Sequence, residues 1–141
     1  MTKKQLLKKL NLSSFIALDF ETTGLSPHSD RIIEIAAIRY NDGKVTDRFV
    51  TLVNPGRHIS NIITDLTGIT NNMVAAAPKE KDILDKFFTF IGEHPLVAHN
   101  ISFDKSFLNV LGDRFEKPEV DRRLYDTLQL ARIFLFDNPA F

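Results

Sequence analysis

The stretch FIALDFETTGL, Phe15 to Leu25, limits what this chain can fold into more than any other segment. Phe15, Ile16, Ala17 and Leu18 form a short apolar run, the mark of a strand buried on both faces. Asp19 and Glu21 follow, with Phe20 between them. Residues two apart in a strand point to one face, so these carboxylates should project side by side from the end of a central strand. Thr22, Thr23 and Gly24 then break the strand and expose backbone. Like charges in a partly buried place are costly without a cation or proton. Hard divalent ions want carboxylate oxygens, so the spacing suits a Mg²⁺ or Mn²⁺ site. A surface turn with two solvated acids is the alternative. The apolar strand before the pair and Thr-Thr-Gly-Leu after it weigh against that alternative.

Composition narrows the partners. With 141 residues, 43% hydrophobic and 26% charged, the chain can bury one sizeable core. The formal net charge is zero, so any phosphate-binding surface must be local. No cysteine is present, which excludes disulfides and thiolate zinc sites. No apolar run approaches the ~20 residues of a membrane helix, and the N-terminus lacks a signal-peptide core. The expectation is an intracellular, cytoplasmic protein with no membrane contact.

Taken in order, residues 1–14 form a basic leader, with Leu6, Leu7 and Leu10 at helical spacing among four lysines. Residues 15–141 read as one domain. Phe15–Phe20 is the first strand. Ile32–Ile38 is apolar and β-branched, a second central strand interrupted by Glu34. That acid either helps an ion site or pairs with a donor, and it is left outside the candidate site. Asn41-Asp42-Gly43 signals a hairpin leading to a third, edge strand over Lys44–Val53. Residues 65–70 suggest a helical turn closed by Gly68, with Thr70 or Asn71 capping another before Pro78. Lys79–Gly92 carries a helical stripe of Ile83, Leu84, Phe87, Phe88 and Ile91. Pro95–His99 reads as a short buried strand, and Asn100 as the cap of a helix bearing Phe103, Phe107 and Leu111. Arg123–Tyr125 is a fifth strand, and Asp126 caps a last helix from Thr127 to about Phe136. This β-β-β-α-β-α-β-α order implies an α/β fold, a mixed five-stranded sheet with helices on both faces. Ligands gather at the carboxyl ends of such strands. If strands one and four are neighbours, Asp104 faces Asp19 and Glu21. Three carboxylates on one spot suit two hard ions ~3.5–4 Å apart, which activate water in phosphodiester cleavage.

FIALDFETTGL and LVAHNISFDKSFL resemble the first and second signature motifs of the DnaQ-like (DEDD) 3′–5′ exonucleases, which include the proofreading subunits and domains of bacterial replicative polymerases. RIIEIAAIRY, LTGIT and YDTLQLAR resemble the family in the same order, so the likeness runs from about Phe15 to Arg132. The resemblance implies that the 15–141 domain is an exonuclease domain of ribonuclease H-like fold. It implies two Mg²⁺ or Mn²⁺ ions held by Asp19, Glu21 and Asp104. It also implies removal of nucleoside monophosphates from the 3′ end of single-stranded DNA, in proofreading or repair, with a DNA polymerase subunit or replication complex as partner. Thr22, Thr23 and Gly24 would line the 3′-terminal nucleotide, and Leu25 and Phe103 would pack on its base or sugar. Core packing is the other reading of these two apolar residues. Asn100 would sit near the scissile region, and Leu66 and Thr67 would border the nucleotide pocket.

The family also needs a third motif, His-x-x-x-x-Asp or Tyr-x-x-x-Asp, which supplies a general base and a fourth carboxylate. The chain ends before that motif could occur. His99-x-x-x-x-Asp104 fits the pattern, but Asp104 already belongs to the second motif. The expectation is therefore a domain lacking its C-terminal helix, with impaired activity. Uncovered apolar sheet surface should lower its stability or drive self-association. An RNA exonuclease and a non-catalytic nucleic-acid or polymerase-binding module are the competing functions.

Overall fold

The computed structural model describes residues 2–117 and 123–127. Its five strands lie in the order β3-β2-β1-β4-β5. They are β1 (Ser14–Thr22), β2 (Ile32–Asn41), β3 (Lys44–Leu52), β4 (Leu96–Ala98) and β5 (Leu124–Asp126). β1 runs antiparallel to β2 and parallel to β4, β3 is antiparallel to β2, and β5 is parallel to β4. This is the mixed, ribonuclease H-like sheet with β1 at its centre.

The strand period decides what β1 buries. Ile16, Leu18 and Phe20 lie in the main core. That core is completed by Ile83, Leu84, Phe87 and Ile91 of α4 (Glu80–Ile91) and by Phe107, Leu108 and Leu111 of α5 (Ile101–Arg114). Phe87 is fully enclosed and meets the rings of Phe20, Phe49 and Phe88 at centroid distances of 5.6–5.9 Å. On the other sheet face Phe15 stacks on Tyr40 at 5.0 Å, and both are half-buried. The Tyr125 hydroxyl donates to the Leu10 carbonyl, just past α1 (Lys3–Lys9). Thr2 and Gln5 close α1 with a reciprocal capping box, which ties its first turn.

Two short helices build the end of the sheet. α2 (Asn61–Thr67) is capped by Ser60 and ends on Gly68, whose φ of 76° is the left-handed conformation glycine adopts freely. α3 (Asn71–Ala75) is capped by Thr70. Ile33, Ile59, Ile69 and Val74 form a second, smaller core beneath them. A bulge makes this possible. Glu21 pairs with Glu34 but Thr22 pairs with Ile32, so Ile33 is the extra residue. Ile32 then joins the main core while Ile33 turns to the smaller one.

Three expectations need adjustment. β1 continues two residues past Phe20, because Glu21 and Thr22 keep pairing with β2. Asn100 precedes α5 in the left-handed conformation, φ 56°, and its side chain makes no capping bond. The backbone N–H of Asn100 instead donates to Asp126 Oδ1 at 3.4 Å. β5 runs one residue later than expected, ending on Asp126; Thr127 directly after it is helical, as expected of the last helix, whose remainder lies outside the described residues.

Candidate active site

Asp104 is the residue on which the site turns. It is 2% exposed, in the first turn of α5. Its Oδ1 accepts the Phe20 N–H at 3.1 Å, a bond spanning 84 residues of chain. The sheet explains why that N–H is available. Ile16 N–H, on the same edge of β1, donates to Pro95 O, but β4 pairs with β1 only at Ile16 and Ala17. Farther along, the edge is open, and Asp104 takes up the free donor.

Asp19 and Glu21 leave the same strand end from the opposite set of positions to Phe20. Burial pushes the Asp104 carboxyl up to about 7. The Phe20 N–H counters this, and the charges of Asp19 and Glu21 add to it. Desolvation raises Glu21 as well, reinforced by Asp19 and by Glu34, its partner across the β1–β2 pair. Asp19 is raised by desolvation and drawn back down by His99. Among the described residues no trio of His, Cys, Asp or Glu forms a ready cage for a metal ion. Asp19 and Glu21 are nevertheless near enough to raise Asp104, and Asp19 to raise Glu21. Their donor set is all carboxylate oxygen, the chemistry that fits a hard divalent cation and that a cation would relieve.

The turn after Glu21 is braced by Asp30. Its Oδ1 accepts from Thr23 Oγ1 at 3.0 Å and its Oδ2 from Ser26 N–H at 3.0 Å. Thr23 Oγ1 also accepts the Arg31 N–H, and Thr22 Oγ1 donates to Gly24 O at 2.6 Å. A Cβ on Gly24 would lie 2.5 Å from Asp30 Oδ2, so only glycine fits against this carboxylate. Both threonine hydroxyls thus hold the loop. Leu25 projects from it, 85% exposed.

The remaining sequence candidates separate. Leu66, 77% exposed, stands on the outer side of α2. Thr67 Oγ1 is engaged internally, donating to Ile63 O and accepting from Ile69 N–H. Phe103 is half-buried against the main core, 5.0 Å from the Phe107 ring. Asn100 is exposed at the start of α5. Sequence reasoning passed over Asp30, whose role rests on a loop closure that residue spacing does not show. It also set aside His99, which follows β4 and reaches Asp19 electrostatically. The supposed adjacency of strands one and four was the available signal.

Known proteins give the context. The chain is 44% identical over 128 residues to the DNA polymerase III PolC-type of Oceanobacillus iheyensis, covering 91% of this chain. It is 42% identical over 133 residues to that of Bacillus subtilis, covering 94%. In both cases it spans 9% of the relative's length. Among solved structures, exonuclease X in complex with 5′ overhanging duplex DNA matches with a TM-score of 0.67 at 31% identity, over 90% of this chain and 66% of that one. E. coli exonuclease I in complex with a dA16 oligonucleotide shares the fold, with a TM-score of 0.79 at 22% identity over 91% of this chain and 31% of that one. The family described as Exonuclease, RNase_T, matches residues 16–135, from the start of β1 past the end of β5. By that match this chain belongs to the RNase_T exonuclease family.

Proposed function

We propose that this chain is a metal-dependent 3′–5′ exonuclease domain that removes nucleoside monophosphates from DNA ends, in proofreading or repair. Asp104 carries the reading: a buried acid raised to about 7 beside two further acids. Asparagine would accept the Phe20 N–H without the cost of a charge, so the carboxylate has another use. Asp19, Glu21 and Asp104 would hold Mg²⁺ or Mn²⁺. Such ions, when bound, polarise a phosphoryl oxygen and lower the pKa of water.

The protein's own groups then divide the work. The Phe20 N–H fixes Asp104, so one ligand is preset, and β1 holds the two strand-end acids beside it. The Asp30 brace presents the Thr22–Gly24 turn to the 3′-terminal nucleotide, and Leu25 offers an apolar contact to its base. Leu66 supplies a second such contact from α2, with Thr67 shaping the helix end beneath it. Phe103 backs the site from the core, and Asn100 stands at its edge.

The PolC-type relatives and the duplex DNA bound to exonuclease X support DNA over RNA as substrate. The PolC-type relatives also support a polymerase as partner. A polypeptide of these 141 residues has no His-x-x-x-x-Asp or Tyr-x-x-x-Asp pair outside its second motif. Assayed alone it should cleave slowly, since a general base typically contributes ~10²–10⁴-fold.

The test is a 5′-labelled single-stranded oligonucleotide incubated with Mn²⁺ and either this chain or Asp19→Ala. A ladder shortening from the 3′ end with this chain alone supports the reading. Immediate release of the labelled 5′ nucleotide would reverse the assigned direction. Mn²⁺ binding lost in Asp19→Ala, with no cleavage by either protein, would favour a binding module.

A further inference from the structure

Beyond the acids, the molecule gathers positive charge in one place. Arg31 follows the β1–β2 loop, Lys79 caps α4, Lys81 lies in its first turn, and Arg114 ends α5. Together with Asn54 and Glu80 they line a cavity of about 270 Å³. Four cations face one carboxylate there, in a chain whose net charge is zero. That carboxylate is already taken, because Arg114 Nη1 donates to Glu80 Oε2 at 2.5 Å. At the α4 N-cap, Asp82 Oδ2 accepts the Lys79 N–H. What the cavity offers is side-chain charge.

The cluster works against itself. Desolvation lowers the Arg31 guanidinium, and repulsion from Arg114 and Arg57 lowers it further, with only Glu80 and Asp30 opposing. Arg57 is held near by its bond to the Ser29 carbonyl. Converging guanidinium and ammonium groups around a concavity are complementary to a phosphate, which arginine grips bidentately.

The cavity is also tied to the acids. Arg31 N–H donates to Thr23 Oγ1 and Thr23 N–H donates to Arg31 O at 2.8 Å. Thr23 lies two residues beyond Glu21, ~7 Å along an extended chain.

We propose that the cavity between Arg31, Lys79, Lys81 and Arg114 is a phosphate-binding site that takes a backbone phosphate of the strand whose end lies at the acids. The choice of strand phosphate rests on the exonuclease reading; the phosphate chemistry does not. Neutral overall charge gives no general attraction for nucleic acid, so a local site of this kind would supply the affinity.

The experiment is fluorescence anisotropy of 5′-labelled dT12 with the full 141-residue chain in Ca²⁺, from 25 to 200 mM KCl. Lys79→Gln/Lys81→Gln is the first variant, because both side chains are exposed and a thermal melt can verify the fold. Arg114→Gln is the second. The expected result is about threefold to thirtyfold weaker binding at 25 mM KCl in the double variant. Its log K against log[KCl] line should be flatter by about 0.7 for each phosphate no longer neutralised. Unchanged affinity and slope in both variants would overturn the proposal. Inorganic phosphate is the competitor. If millimolar phosphate leaves dT12 binding intact, the strand is the source. If phosphate binds the parent chain and not the double variant while dT12 affinity is the same in both, the site takes free phosphate and the strand assignment falls. Should the chain cut no DNA while dT12 binding still depends on Lys79 and Lys81, the site stands and the catalytic reading fails.

Discussion

Along β1 the even-numbered side chains of Ile16, Leu18, Phe20 and Thr22 are buried, whereas the odd-numbered Asp19 and Glu21 stand on the face that β2 lines with Glu34. The two sets share one backbone and differ by a one-residue offset. The apolar members of the first set each contribute ~1.5–3 kcal/mol by leaving water. The second set costs stability, as the raised carboxyls and the directly opposed Glu21–Glu34 pair show. A strand can therefore carry a strained charge cluster rigidly because its other face is anchored. Precision on one face is supplied by burial on the other.

The sharpest way to separate the faces is to remove one member of each. Asp19→Ala should cut Mn²⁺-dependent nuclease activity by at least about a hundredfold, the upper range even for groups that only support a metal ligand, with the melting temperature nearly unchanged. Phe20→Ala should do the reverse to stability. Losing that ring should cost ~3–5 kcal/mol by thermal or urea melt. An Asp19→Ala protein that unfolds, or a Phe20→Ala protein that melts normally, would break the comparison.

Gly24→Ala probes the turn where the faces meet. The new methyl group would collide with Asp30, so we expect a cost of ~1–3 kcal/mol from overpacking and a fall in activity. Gly24→Ala/Asp30→Gly should recover part of the stability and little of the activity, because the brace is then gone. Full recovery of both would show that Asp30 only fills space.

Asp104→Asn gives a smaller effect with a definite sign. The folded-state value of Asp104 is about 7, above the 3.8 of an unperturbed aspartate. The folded protein therefore holds a proton that the unfolded chain has released, and this contribution is full below pH ~4 and lost as pH rises to ~7. Without divalent ions, Asp104→Asn should melt a few degrees above the parent at pH 8 and level with it at pH 4. Mn²⁺ at pH 8 should raise the parent's melting temperature and not the variant's. The smallest effect we expect is from His99→Gln, which removes the partner that lowers Asp19: a severalfold change in activity and none in stability.

Much of this contrast was legible in residue order. The two-residue spacing of Asp19 and Glu21 put them on one face, the stripe from Ile83 to Ile91 identified α4, and Gly68 marked the end of α2. These features are local, and periodicity reports local geometry. The bulge at Ile33 was not legible, because it arises from register between two strands. The left-handed Asn100 and the Asp30 brace were also hidden. Each depends on a backbone path that brings residues several positions apart into contact. Asp104 lay between the two cases: its motif was readable, but its bond to the Phe20 N–H follows from β4 being too short to claim that donor.

That bond between Phe20 and Asp104 has a consequence for how the chain reaches its native state. The β1–β2–β3 meander pairs neighbours through short connections, so it closes small loops and can assemble early. Asp19 and Glu21 are then in place. Asp104 arrives only when β4 and α5 dock across a separation of 84 residues. The acids thus come together in one of the slower steps of folding, and a partly folded chain carries two of them without the third. Such an intermediate would lack the third acid of the proposed site, so on the exonuclease reading it would carry no complete catalytic set.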